Sequence, residues 1–136
     1  MISKMSYSVE ETKEIAAKLA ETIQNGAIIA LKGDLGAGKT IFVRGFCAEL
    51  GVDPDEVNSP TFTIVNEYPN SIYHIDAYRL ENSDPEDIGI WDYINNGKVT
   101  IIEWCEYIDV DYDVVVTIKG SGDEPREITY EHISNR

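Results

Sequence analysis

Apolar positions recur along this chain with two different periods. Ile15, Leu19 and Ile23 fall four apart behind Ser8 and Glu11, which stand at capping-box spacing. The spacing predicts a helix from Val9 to about Asn25, stopped by Gly26. "AIIALK" (27–32) is a short unbroken apolar run, as in a strand buried on both faces. "KTIFVRGFCAEL" (39–50) reads as a second helix closed by Gly51, and "VDPDEVNSP" (52–60) as loop. "TFTIVNEY" (61–68) and "SIYHID" (71–76) predict two strands turning at Pro69-Asn70. "SDPEDIGIWDYINN" (83–96) predicts short helical pieces, with Ser83 or Asp84 as cap and Pro85 in the first turn. "KVTIIEW" (98–104) is another buried-strand pattern. "DVVVTIKG" (113–120) and "REITYEHI" (126–133) flank the turn-rich "SGDEP" as a terminal hairpin. Helices alternating with strands and ending in a hairpin predict an α/β fold, with a mostly parallel, mixed central sheet and a C-terminal antiparallel hairpin.

Composition narrows the function classes. The 136 residues fit one domain, 1–136. A formal net charge of −14, with eleven scattered basic residues, argues against a broad nucleic-acid face and against direct DNA binding. No apolar run reaches membrane-spanning length, and "MISKMSYSVEETKE" lacks the apolar stretch of a signal peptide. The expectation is a cytoplasmic protein with no membrane association. Cys47 and Cys105 make no CxxC, and His74 and His132 stand alone. Reduced structural thiols and no dedicated zinc site are expected.

One stretch carries explicit chemistry. Gly33-Asp34-Leu35-Gly36-Ala37-Gly38-Lys39-Thr40 matches G-x-x-x-x-G-K-[ST] at every specified position, between a predicted strand and a predicted helix. The glycines let backbone N–H groups turn inward as an anion nest, and the helix start adds free donors. Lys39 reaches for β- and γ-phosphates, and the Thr40 hydroxyl is a hard oxygen ligand for Mg²⁺. The expected fold is therefore of the three-layer P-loop type. The guanine-reading N-K-x-D pattern is absent, "NNGK" at 95–98 not being one, so adenine is preferred and the expected ligands are ATP or ADP with Mg²⁺.

P-loop hydrolases also place a carboxylate at a strand end to hold the metal. "YHID" ends in Asp76 and "VTIIE" in Glu103, and both positions reach the mouth of such a sheet. One could hold the metal while the other orients the attacking water; spacing does not assign them, and either alone also fits a cap or a surface salt bridge. Ser59-Pro60-Thr61-Phe62 is a stiffened hydroxyl-bearing loop, a candidate γ-phosphate sensor or an ordinary turn. Trp104 follows Glu103, with a site-rim and a core reading both open. Arg79 is the arginine nearest Asp76, for phosphate charge or for a plain salt bridge. Arg44 lies past the loop, and no role is assigned to Arg126.

Taken in order, "GDLGAGKT", "SPTF", "HIDAYRL" and "IIEW" resemble the bacterial TsaE family, formerly YjeE, over nearly the whole chain. The resemblance implies a small P-loop ATPase. It implies work with TsaB and TsaD in making N6-threonylcarbamoyladenosine (t6A) at position 37 of tRNA, hydrolysis supporting repeated turnover and tRNA being met indirectly through the complex. By the family pattern Gly36, Ala37, Gly38, Lys39 and Thr40 would hold the phosphates, with the Ile41 amide adding to them. Thr40 and Glu103 would hold Mg²⁺, and Asp76 would assist hydrolysis beside the γ-phosphate. Thr12 would lie near the adenine, Trp104 at the site rim, and Thr61 in the switch-like loop. Cys105 stands where the family often has proline or alanine, and Trp91 lies in a variable region.

Two alternatives share the P-loop. A small-molecule or nucleoside kinase needs an acceptor pocket and usually several lid arginines, whereas Arg79, Arg126 and Arg136 are the only arginines after the P-loop helix. A non-catalytic adaptor would use ATP only to order "SPTF" for docking.

Overall fold

In chain order the elements are β1 (Ile2–Ser6), α1 (Val9–Ala20), β2 (Ile28–Gly33), α2 (Lys39–Glu49), β3 (Val65–Tyr68), β4 (Ile72–Asp76), β5 (Val99–Glu103), β6 (Val114–Lys119) and β7 (Arg126–His132). This computed structural model describes residues 2–23, 26–33, 37–53, 57, 65–68, 72–76, 99–103 and 112–133. The seven strands form one mixed sheet, in the order β1-β7-β6-β2-β5-β4-β3. β2 runs parallel to both β5 and β6, and β4 runs parallel to β5. β3 and β7 run against their neighbours, so five of the seven strands point one way. A mixed sheet with a parallel centre, β6-β2-β5-β4, and the terminal antiparallel hairpin are thus both present.

Among the described residues, helices α1 and α2 pack on one face of the sheet. Ile15 and Leu19 of α1 join Phe42 and Phe46 of α2 over Ile29, Leu31, Ile101, Val116 and Ile128. The opposite face of the central strands is equally dry, with Ile28, Ala30, Ile75 and Ile102 at 1% exposure or less. Two-sided burial explains why β2 and β5 read as unbroken apolar runs rather than alternating ones. The helical pieces expected over 83–96 lie outside the described residues, as do residues 61–64 of the "TFTIVNEY" strand. Among the described residues no helix is long and apolar enough to cross a membrane. Cys47 is fully buried and unpaired, and burial pushes its thiol up to about 12. Cys105 lies outside the described residues.

Two features depart from the periodicity reading. β1 was not anticipated, because its five residues are mostly exposed and carry no apolar face. It exists through pairing with β7, in register from Ile2↔Tyr130 to Ser6↔Arg126. α1 ends at Ala20, short of Asn25. Its last turn tightens into Thr22 N–H→Leu19 O and Ile23 N–H→Ala20 O bonds, and the Thr22 hydroxyl also donates to the Leu19 carbonyl at 2.7 Å. The start is as expected: Ser8 is the N-cap and accepts from Glu11 N–H at 3.1 Å. The Glu11 carboxylate reaches one residue further back than a standard box and accepts from Tyr7 N–H at 3.3 Å.

Helix α2 lies against α1 at Gly45, where an added Cβ would sit 2.6 Å from the Lys13 backbone. Gly45→Ala gains about 1 kcal/mol of helix propensity. The overlap is with backbone, which cannot swing aside, so the helices must part. Gly45→Ala is expected to be destabilising by about 1–3 kcal/mol in urea unfolding.

Candidate functional site

The P-loop joins the end of β2 to the start of α2. Gly38 is the N-cap of α2, with φ 101° and ψ 24°, a left-handed conformation that side chains other than glycine's rarely adopt. Among the described residues no side chain caps this helix, and it has no acidic residue in its first turn. Leading amides with no acidic side chain of their own first turn beside them suit a bound anion. Lys39, Thr40 and Ile41 form its first turn. Lys39 is only 8% exposed, and its Nζ lies 3.6 Å from Glu103 Oε1.

Parallel pairing delivers Glu103 to that lysine. Leu31 and Glu103 are register partners across β2 and β5, so the carboxylate leaves its strand where β2 runs out toward the phosphate loop. Asp76 is in turn the register partner of Glu103 across β4 and β5. The two carboxylates singled out in the sequence therefore occupy adjacent positions at the carboxyl ends of adjacent strands. Only the backbone of Asp76 is described.

Glu103 is held by more than Lys39. Its Oε2 lies 2.5 Å from His74 Nε2, and the other ring nitrogen, Nδ1, lies 2.9 Å from the Tyr68 hydroxyl. His74 is fully buried, Glu103 is 6% exposed and Tyr68 8%. Burial alone pushes the Glu103 carboxyl up; the hydrogen bond and charge of His74, with Lys39 behind them, outweigh it, and the net shift is downward. Glu103 is therefore a carboxylate at neutral pH and accepts from His74 Nε2–H. The sequence assigns a role to neither His74, which stands there as a lone histidine and as part of "HIDAYRL", nor Tyr68. A histidine inside an otherwise apolar buried run was the available signal.

On the other side of the loop, a cavity of about 290 Å³ is lined by Thr12, Ala37, Gly38, Ile41 and Arg126, with Ser6–Val9 and the 122–124 turn completing it. Thr12 is buried, and its hydroxyl is 2.7 Å from Ser6 Oγ, which itself donates to the Ser8 carbonyl at 2.9 Å. Ser6 has one proton, so Thr12 donates to Ser6 and keeps lone pairs as an acceptor. Arg126, too, is left without a role by the sequence. Its Nε donates to the Ala37 carbonyl at 3.0 Å, while its terminal nitrogens donate to the carbonyls of Glu124 and Gly122. Holding the Ala37 carbonyl toward β7 aims the Gly38 N–H the opposite way, because a trans peptide sets the two antiparallel. Arg44 points elsewhere, its Nε donating to the Val57 carbonyl at 3.2 Å.

Gly33, Ala37, Gly38, Lys39, Thr40, Ile41, Thr12 and Glu103 thus gather around one loop. Gly36, Thr61, Trp104 and Arg79 lie outside the described residues. Among the described residues no three His, Cys, Asp or Glu side chains converge as a metal cage. Thr40 and Glu103 are oxygen donors of the kind Mg²⁺ takes when phosphates and water complete its shell.

A family model described as "Threonylcarbamoyl adenosine biosynthesis protein TsaE" matches residues 6–128, a span that includes the P-loop, both strand-end carboxylates and Arg126. The chain belongs to the TsaE family. It is 42% identical over 133 residues to the tRNA threonylcarbamoyladenosine biosynthesis protein TsaE of Bacillus subtilis, covering 93% of this chain and 83% of that one. The protein of the same name from Treponema pallidum is 34% identical over 131 residues, covering 92% and 96%. A crystal structure of Bacillus subtilis YdiB superposes with a TM-score of 0.76 at 33% identity, over 98% of this chain and 86% of that one. The resemblance of "GDLGAGKT" through "IIEW" is thus matched along nearly the whole TsaE chain, and its family works in tRNA threonylcarbamoyladenosine biosynthesis.

The lowered Glu103 carboxyl has a consequence for stability. A carboxyl held below its ordinary value of 4.5 contributes stability that is complete above that pH and is lost as pH falls through the folded-state value. In chemical unfolding from pH 7 to pH 3, the stability advantage of the native chain over Glu103→Gln is expected to hold steady down to about pH 4.5 and to shrink below it. A gap that widens toward acid would contradict this electrostatic reading.

Proposed function

We propose that this chain is the ATP-binding and ATP-hydrolysing component of the bacterial t6A37 machinery. It acts with TsaB and TsaD homologues to support repeated turnover of threonylcarbamoyl transfer. The observation that carries the reading is the P-loop lysine lying 3.6 Å from a strand-end carboxylate that is itself register partner to a second one. Such an arrangement suits phosphoryl chemistry: a cation and backbone amides for the phosphates, one acid for the metal side, another for water. Mg²⁺, bound through Thr40 and Glu103, would neutralise charge on the phosphates.

The chain's own groups account for the remaining work. The amides of Gly36–Ile41 bind phosphate oxygens, and Lys39 exchanges Glu103 for the phosphates when nucleotide enters. Asp76 orients the attacking water. Thr12, as an acceptor, suits the exocyclic amino group of adenine better than the carbonyl of guanine. Thr61 and Trp104 belong to the γ-phosphate sensor and the site rim. The net charge of −14 suits a component that leaves most of the tRNA to its partners.

The test is reconstitution of tRNA threonylcarbamoylation from TsaB, TsaD and this chain. Omitting the chain is expected to stop the reaction after the first rounds. Asp76→Ala and Glu103→Ala are expected to lower partner-stimulated ATP turnover by about 100-fold or more, while ADP affinity changes by less than about tenfold. Variants that sustain tRNA modification with no hydrolysis would make the chain an adaptor. A phosphorylated acceptor appearing with ADP would make it a kinase.

A further inference from the structure

We propose that His74, braced by Tyr68, is a positioning residue that leaves Glu103 one oxygen, and only one, to offer to a cation. The inference rests on the reading of Glu103 as the metal-side carboxylate. It deepens that reading by saying what sets the coordination.

The two oxygens of Glu103 have different partners. Oε2 is taken by His74 Nε2 at 2.5 Å, and Oε1 faces Lys39 Nζ at 3.6 Å. His74 cannot drift, because it is fully buried on β4 and its second nitrogen meets the Tyr68 hydroxyl at 2.9 Å. Tyr68 is held in turn on β3, where it is the register partner of Ile72. The brace therefore runs across three strands, β3 to β4 to β5, and ends on a carboxylate oxygen. When Lys39 leaves for the phosphates, Oε1 becomes available while Oε2 stays occupied. A one-oxygen carboxylate suits Mg²⁺, which takes few protein ligands in near-ideal octahedral geometry; Ca²⁺ readily takes carboxylates through both oxygens. Hydrogen-bonded supports of this kind commonly set metal affinity.

A buried Tyr–His–Glu set placed only for stability would make a different prediction, and metal affinity separates the two. The measurement is Mn²⁺ binding to the purified chain with ADP, followed by electron paramagnetic resonance, beside calorimetry of ADP without metal. His74→Leu, shown folded by circular dichroism, is expected to bind Mn²⁺ about tenfold more weakly, with metal-free ADP affinity unchanged. His74→Gln keeps a donor near the Nε2 position and is expected to stay within about threefold of the native chain. Tyr68→Phe removes only the outer hydroxyl and is expected to lose an intermediate factor, deciding the matter should His74→Leu not fold. With partners present, kcat is expected to fall while KM for ATP holds.

Native Mn²⁺ affinity in both folded His74→Leu and Tyr68→Phe would overturn the inference, and so would an equal loss of metal-free ADP binding. If the native chain itself binds ADP with no dependence on Mn²⁺, the metal-side reading of Glu103 falls first and takes this inference with it.

Discussion

The site depends on one ion pair across a parallel strand boundary. Lys39 and Glu103 are 64 positions apart in sequence, and β2 and β5 bring them to 3.6 Å. Parallel pairing carries both strands to the same edge of the sheet, so the loop leaving β2 and the carboxylate ending β5 open on one mouth. An antiparallel partner would have placed Glu103 at the other end of the sheet. The same boundary, extended by β4, brings Asp76 into register. The apolar runs of β2 and β5 serve this purpose as well as stability: burial on both faces keeps them central, and the mouth forms at their ends.

Burying a lysine and a glutamate is costly unless each is paired and hydrogen-bonded. Here the pair is less than one-tenth exposed and is supported by His74, which is supported by Tyr68. Among the described residues every buried side-chain polar atom has a hydrogen-bond partner. The consequence is a carboxylate that is ionised despite its burial. Removing one member would strand the others, and phosphates replacing Glu103 as the partner of Lys39 would not. On the proposed function, stability and nucleotide binding are coupled through the same charges.

The other wall of the site comes from both ends of the chain. β1 and the start of α1 supply Ser6 and Thr12, and the β6–β7 turn leads into Arg126. Ser6 and Arg126 are register partners. This one pairing brings a hydroxyl network and a guanidinium to the two sides of a cavity. Arg126 then crosses to the Ala37 carbonyl, tying the outer strands to the phosphate loop. The exposed edge strand β1 has little core of its own, and its contribution is to complete this wall.

The sequence by itself determined the local chemistry. "GDLGAGKT" needs no tertiary information to be read as a phosphate-loop motif, because a glycine pattern ahead of a helix start is a property of contiguous chain. The apolar runs announced β2 and β5, and the Ser8 cap announced α1, because burial and capping leave a periodic or adjacent trace. The strand-end carboxylates were legible as candidates for the same reason. Pairing was not legible. Nothing around Met5 shows that 2–6 adds to β7, since an edge strand is exposed and carries no apolar period. Nor does "HID" show that His74 ends on Glu103, or the start of "REITYEHI" that Arg126 ends on Ala37. Those contacts join residues 29 and 89 positions apart. A hydrogen bond across strands is set by register, and register follows from how all seven strands bury their faces together.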